Sequence, residues 1–191
     1  MARICIIQGH PNDGGHFCHA IADTYCQGAT AAKHEVRTLS VAEMEFELLR
    51  SKEDWDKGRA PAAIAAAQRT IAWAEHLVVI YPLWIGTMPA LLKGFFEQAL
   101  RPGFAMALTP RGGWTKLLSG RSARVVVTMG MPAFAYRWYF GAHGLKSLTQ
   151  NLALVGIKPR RSMLVGMIEA ISDTKRRTWL DHLRQLGREA A

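Results

Sequence analysis

Apolar residues along this chain fall into short unbroken runs separated by longer stretches at helical spacing. Residues 3–8, 77–81 and 122–128 are compact runs rich in Ile and Val with no alternating polar face, and such runs predict strands buried on both sides. Two shorter candidates are 34–39, with Val36 and Leu39 as buried positions, and 161–165. Helical spacing links Phe17, Ala20, Ile21, Thr24 and Tyr25 within 16–31, then Ile64, Ala67, Ile71 and Ala74 after Pro61. The same spacing recurs in Leu91, Leu92, Phe95, Phe96 and Leu100 after Pro89, and in Leu145, Leu148 and Leu152 within 141–154. Ser172 predicts the cap of a terminal helix to about Gly187, with Trp179, Leu180, Leu183 and Leu186 inward. Residues 40–60 read as polar and irregular, with a short helix around 41–45. Residues 109–120, with Pro110, Gly112, Gly113 and Gly120, read as a surface connection pinned by Trp114 and the Leu117-Leu118 pair. Five strands alternating with helices predict an α/β three-layer sandwich around a five-stranded parallel sheet, as one domain over 1–191. Alternation leaves the strand order open, 2-1-3-4-5 being one of two common arrangements.

In an open parallel sheet, ligands sit outside the carboxyl ends of the strands. Three loops leave those ends. Residues 9–15 hold Gly9, Gly14, Gly15 and Pro11, and lead straight into a helix start, where free backbone N–H groups suit a phosphate. The loop is neither a Gly-x-Gly-x-x-Gly fingerprint nor a P-loop, and a plain connection explains it equally well. Pro82 ends the central strand because it cannot donate to the ladder, and Trp84 and Ile85 follow on a short loop. Side chains that size need a cover, which is a flat ligand, the domain core or a subunit interface. The third loop spans 130–139 and runs into the aromatic stretch 134–140.

A chain of 191 residues, 49% hydrophobic, suffices for a sizeable core. No apolar run approaches the roughly 18 residues of a membrane span, and Arg3 already opens a strand, so a cytoplasmic protein without a signal peptide is expected. Cys5, Cys18 and Cys26 form no Cys-x-x-Cys pair and are odd in number, against a disulfide framework or a sulfur-ligated metal. His10, His16, His19 and Cys18 supply no closed ligand shell, so no metal is expected. The +9 charge is dispersed over Arg121/Arg124, Arg160/Arg161 and Lys175/Arg176/Arg177. That suits a field drawing in phosphorylated cofactors better than a nucleic-acid footprint.

The three loops carry a likeness. Pro82-Leu83-Trp84, Met88-Pro89-Ala90-x-Leu92-Lys93-Gly94 and Arg101-Pro102-Gly103-Phe104, with His10-Pro11-Asn12, Phe17-Cys18-His19-Ala20 and Gly112-Gly113-Trp114-x-Lys116-Leu117-Leu118-x-Gly120, resemble the NAD(P)H dehydrogenase (quinone) family. These flavodoxin-like flavoproteins include quinone reductases, bacterial modulators of drug activity and ancillary proteins of potassium efflux systems. The resemblance implies strand order 2-1-3-4-5, a bound flavin, FMN or FAD, and NAD(P)H as co-substrate. It implies two-electron hydride transfer through the flavin to quinones or similar flat acceptors, and a homodimer with sites at its interface. The alternative it carries is a flavin-binding regulatory or ancillary protein with little turnover. By analogy His10, His16, Phe17 and Cys18 surround the flavin phosphate. Pro82, Leu83, Trp84 and Ile85 offer backbone N–H groups and flat contact to the ring, and Thr128, Met129, Gly130 and Met131 close the third side. Tyr136 and His143 look like the family's catalytic tyrosine and histidine, at a spacing one residue longer than in the classical quinone reductases, with Tyr139 the alternative ring. The family commonly has Ser or Thr where this chain has Gly15 and His16, so a hydroxyl donor is missing: either the His16 imidazole or the backbone replaces it, or phosphate binding is weakened.

Overall fold

The computed structural model describes residues 1–109, 112–160 and 162–191. Six parallel strands form the main sheet in the order β2 (Glu35–Ser40), β1 (Arg3–Gln8), β3 (His76–Pro82), β6 (Ser122–Thr128), with β7 (Lys158–Pro159) and β8 (Met163–Val165) both paired to the outer side of β6. In terms of the five expected strands this is the order 2-1-3-4-5, the fifth place being shared by two short segments. Arg161, the expected start of that strand, lies outside the described residues.

Alternate residues of the central strands face opposite layers, because side chains in a strand repeat every second position. Cys5, Ile7, Leu77, Val79, Tyr81, Val125 and Val127 pack against α3 (Ala62–Trp73), α4 (Ala90–Ala99) and α5 (His143–Leu154). Ile4, Ile6, Val78, Ile80 and Val126 pack against α1 (Phe17–Ala31) and α6 (Asp173–Glu189). The second layer is thin where α1 meets α6. A Cβ at Gly28 would run into the Arg184 carbonyl and one at Gly187 into the Tyr25 carbonyl, so these glycines set the helix separation. This is a flavodoxin-like three-layer sandwich.

Three expectations need correction. The 40–60 segment holds, besides a 3₁₀ turn at Val41–Glu43, a helix α2 (Lys52–Lys57), whose cap Ser51 accepts from the Asp54 N–H at 3.0 Å. It has no buried residue of its own; buried Arg101 holds it through Asp54, with Nη2 to Oδ1 at 3.2 Å. The 109–120 segment is not a plain connection, since Met106–Leu108 (β4) and Trp114–Lys116 (β5) form an antiparallel hairpin. Its anchor is Leu118, which is buried and donates its N–H to the Val155 carbonyl, whereas Trp114 and Leu117 are exposed; Pro110 lies outside the described residues. The aromatic stretch forms a π-helical turn, Ala135–Tyr139, and α5 starts only at His143, after Ala142 takes a left-handed φ of 48°.

His76 opens β3 on the α1/α6 side, fully buried, with Nδ1 2.8 Å from Ser122 Oγ and Nε2 unpartnered. Burial, then the Arg160 and Arg124 charges, lowers its pKa to about 4. A histidine depressed in the folded state stabilises nothing above its unfolded value of about 6.5, and below it the unfolded chain takes the proton preferentially, so stability falls as pH falls. Chemical denaturation should therefore show a loss of up to roughly 3 kcal/mol from this group between about pH 6.5 and 4. His76→Asn, compared with the parent, should flatten that part of the profile; identical slopes would refute the assignment.

Candidate functional site

The parallel register brings the exits of four strands to one edge: Gln8 pairs with Ile80, Pro82 with Thr128, and Thr128 with Val165. Hydrogen bonds continue past the strands. Gly9 N–H donates to the Ile80 carbonyl at 2.7 Å, Leu83 N–H to Thr128 at 2.7 Å, and Ile168 N–H to Met129 at 3.2 Å. Gly9 allows a close approach to α4, since a Cβ there would lie 2.5 Å from Leu92 Cδ2 and displace that side chain. Gly166 has the same role, its Cβ position lying 2.5 Å from the Ala133 N.

A cleft of about 430 Å³ opens on this edge, lined by His10, Asn12, His16, Phe17 and Cys18 from the first loop and α1, Pro82 and Trp84 from the second, Thr128 from β6, and Ile168 and Glu169 from the loop after β8. Three imidazoles gather at its α1 end. The His10 and His16 rings stack with centroids 4.0 Å apart, and His19 stands 5.4 Å from the first and 5.8 Å from the second. His10 is buried, with Nδ1 3.1 Å from the Asn12 N–H and 3.0 Å from the Asn12 carbonyl. Burial lowers its pKa, the Asn12 hydrogen bond works against that, and the neighbouring His16 and His19 lower it further. His19 Nδ1 accepts from the His16 N–H at 3.3 Å, which leaves the ring proton on Nε2, a buried atom with no partner. At the other end Trp84 is half exposed, its ring 6.1 Å from that of His10 and at 77° to it. In the floor, Cys18 Sγ lies 3.1 Å from Thr128 Oγ1.

Seven of the residues assigned by analogy to the flavin thus share one cleft: His10, His16, Phe17, Cys18, Pro82, Trp84 and Thr128. Five do not line it. Met129 is buried in the core on the α3–α5 side, and Leu83 packs half-buried against that core. Ile85 is fully exposed at φ 44°, and Met131 is half-buried against the core. Gly130 is exposed beside the cleft, where a Cβ would sit 3.7 Å from Glu169 Oε1. The N–H groups of Leu83, Trp84 and Met129 are already spent on Thr128, Thr87 and Val165 carbonyls, so they are not free for a ligand. Tyr136 is buried, its hydroxyl accepting from Leu145 N–H at 3.1 Å and donating to the Gly86 carbonyl at 3.5 Å. Burial raises its pKa, against the lowering effect of the Leu145 bond. His143 is exposed at the start of α5, and Tyr139 is exposed on the π turn. Asn12, Ile168 and Glu169 are cleft residues that the sequence reading left out of its assignment. The rule applied to the other three loops, a strand exit on the same edge, would have found the last two.

The residues fit a flavin with a phosphate tail: the cleft-lining imidazoles of His10 and His16 beside the start of α1, where the Phe17 and Cys18 amides have no helical acceptors, and a half-exposed indole at the opposite end. Among the described residues no group of three or more His, Cys, Asp or Glu is placed to hold a metal.

Residues 2–186 match the family described as having a flavodoxin-like fold, and the chain belongs to that family. It is 30% identical to an uncharacterised NAD(P)H oxidoreductase of Haemophilus influenzae over 92% of this chain and 89% of that one. It is similar in fold to the NAD(P)H:quinone oxidoreductase of Methanothermobacter marburgensis, with a TM-score of 0.81, 22% identity, and coverage of 98% and 96%. It also superposes on an FMN-dependent NADH-azoreductase of Bacillus anthracis in complex with FMN, with a TM-score of 0.78, 14% identity, and all of both chains covered.

Burial pushes the Cys5 thiol up to about 12 and the Cys18 thiol up to about 11, the latter despite its Thr128 contact, while Cys26 is partly exposed. A thiolate is the reactive form. Ellman's reagent near neutral pH should therefore titrate one thiol in the native protein and three after denaturation; rapid reaction at Cys18 would show the cleft floor to be open.

Proposed function

We propose that this protein is a flavin-dependent NAD(P)H oxidoreductase that passes two electrons to quinones or similar flat acceptors. The observation that carries the reading is the cleft itself, which joins an imidazole-lined, helix-capped end to a half-exposed indole within one strand-exit edge. The similarity to a relative named as an NAD(P)H oxidoreductase supports it.

Bound flavin, FMN or FAD, supplies hydride acceptance from NAD(P)H and donation to the second substrate. The chain's own residues hold and shield. His10, His16 and the start of α1 take the phosphate, and Trp84 gives the ring a flat wall. Cys18 and Thr128 close the floor with each other and keep water out. Tyr136 is a positioning residue: its hydroxyl ties the carbonyl of Gly86 to the N–H of Leu145, fixing the β3–α4 loop against α5. A Cβ at Gly144 would lie 2.6 Å from the Gly86 carbonyl, so the two elements are in close contact. His143, exposed beside that contact, is the group able to hold a proton for an acceptor oxygen.

Trp84, Ile85, Phe134, Trp138, Tyr139 and Phe140 are all exposed on the second loop and the π turn, which Tyr136 joins. Exposed apolar surface of this kind marks an interaction site, and a second copy of the chain over this rim completes the site as a homodimer. A cytoplasmic setting, where NAD(P)H is supplied, belongs to the same reading. Among the described residues, no helix is long and apolar enough to cross a membrane.

Anaerobic rapid mixing of the flavin-loaded protein should bleach the flavin with NADH or NADPH, and a quinone should restore the colour. Trp84→Ala should weaken flavin binding roughly tenfold, the effect of losing about 1.4 kcal/mol of aromatic contact. No bleaching with either nucleotide would reject the enzyme reading. Light scattering should give twice the chain mass, and Trp138→Ser/Tyr139→Ser should shift it toward one chain; a parent mass of one chain would reject the shared site.

A further inference from the structure

A second cavity, of about 820 Å³, lies against α5 and shares no lining residue with the cleft. Its volume falls in the range of about 300–1,000 Å³ usual for small-molecule sites. Three elements meet there: Arg137 comes from the π turn, Lys146 and Thr149 from α5, and Ser162 and Leu164 from the start of β8. Gly141 and Ala142 both take left-handed backbone, at φ 65° and 48°, and the Tyr136 hydroxyl accepts from the Leu145 N–H. The π turn is thereby folded back onto the start of α5, which sets Arg137 and Lys146 on one cavity.

The lining carries two cations and no carboxylate. Among the described residues neither Arg137 nor Lys146 forms a salt bridge, and the guanidinium only approaches the Trp138 ring, at 5.9 Å. The Ser162 hydroxyl likewise has no protein partner among the described residues. Thr149 Oγ1 donates to the Leu145 and Lys146 carbonyls, so its lone pairs are left for a donor. Leu145 and Leu164 form an apolar wall. Two unpaired cations, free hydroxyls and a flat apolar wall in one cavity suit a phosphorylated nucleoside: phosphate for the cations, ribose for the hydroxyls, base for the wall.

One backbone contact separates this cavity from the ring end of the cleft. Trp84, in the cleft lining, exchanges backbone hydrogen bonds with Thr87 at 2.9 and 3.0 Å. A Cβ at Gly144 would lie 2.6 Å from Thr87 Cα and 2.6 Å from the Gly86 carbonyl, and Gly144 stands between Ala142 and Leu145 of the cavity lining. Trp138 lines the cavity and belongs to the apolar rim as well, so the cavity also borders the surface proposed for a second copy.

Resting on the reading of the cleft as the flavin site, we propose that this cavity holds the adenosine end of the nicotinamide co-substrate, with Arg137 and Lys146 on its 2′-phosphate, so that the enzyme uses NADPH in preference to NADH. The two nucleotides differ only in that phosphate, a monoester that is mostly dianionic at neutral pH because its second pKa is about 6. Arg137 offers a planar fork of N–H donors to two of its oxygens, Lys146 a point charge and Ser162 a hydroxyl. The phosphate is remote from the transferred hydride. Its contacts are therefore equal in the ground and transition states and act on KM rather than on kcat.

Steady-state kinetics of the flavin-loaded protein with one quinone, driven in turn by NADPH and NADH, test this. kcat/KM for NADPH should exceed that for NADH by roughly tenfold or more, with the difference in KM. Arg137→Gln/Lys146→Gln should make the two nucleotides nearly equal. Both are compared within the same protein, so any loss of folded enzyme cancels from the ratio. Adenosine 2′,5′-bisphosphate should compete with NADPH roughly tenfold better than adenosine 5′-monophosphate does, and the double substitution should remove that advantage. Equal use of the two nucleotides by the parent, a preference for NADH, or an NADPH preference that survives the double substitution would each overturn the assignment while leaving the flavin site standing. A flavin that neither nucleotide bleaches would reject the flavin reading and this assignment together.

Discussion

Parallel pairing of β1, β3, β6 and β8 is the constraint on which the rest of the molecule depends. Parallel strands all point the same way, so every exit loop is delivered to one edge, whatever the intervening helices do. The ladder then runs on beyond the strands proper. Leu83 bonds to Thr128, Met167 to Met131 and Ile168 to Met129, so loops from three different crossovers are stitched to one another. A cleft assembled on such an edge is held as firmly as the sheet beneath it, although the loops have no regular structure of their own.

The two helical layers serve that edge differently. On the α1/α6 side the packing is close, with Gly28 and Gly187 letting backbone meet backbone, and the start of α1 is thereby fixed beside the exits of β1 and β6. On the other side the core is larger and more aromatic, with Phe95, Phe96, Tyr81 and Tyr136. There the β3–α4 loop is secured by one phenol that bonds both that loop and the start of α5. The anion-suited end of the cleft is thus built from helix and strand, and the ring-suited end from a loop held by a side chain.

Much of this was legible in the chain because the central strands are buried on both faces and so appear as unbroken apolar runs. What was not legible depended on contacts distant in sequence. Five of the six residues of α2 are charged, and it exists where it does because Arg101, 47 residues beyond Asp54, is buried against it. The β4–β5 hairpin was hidden behind glycines that suggested only a loop. Met129 was assigned to the cleft with Thr128, yet strand alternation, continued one residue past β6, sends it to the opposite side. That Leu83 and Trp84 spend their N–H groups inside the protein could not be read from composition at all, since both acceptors are set by turn and sheet geometry. The loop after β8 escaped because a three-residue strand gives little periodicity, although the same topological rule covers it.

Trp84 shows why the ligand and partner readings of the rim are not rivals. Its indole is half exposed beside His10, and Ile85 next to it is wholly exposed. A flat ligand in the cleft covers a face of Trp84 but does nothing for Ile85, Trp138 or Tyr139, which lie outside the cleft lining. A second subunit covers those residues but does not fill a cavity whose inner end is polar and lined by imidazoles. In the proposed reading, burial of the whole apolar rim takes both, and a site closed by a partner would also be one from which water is excluded when charge moves.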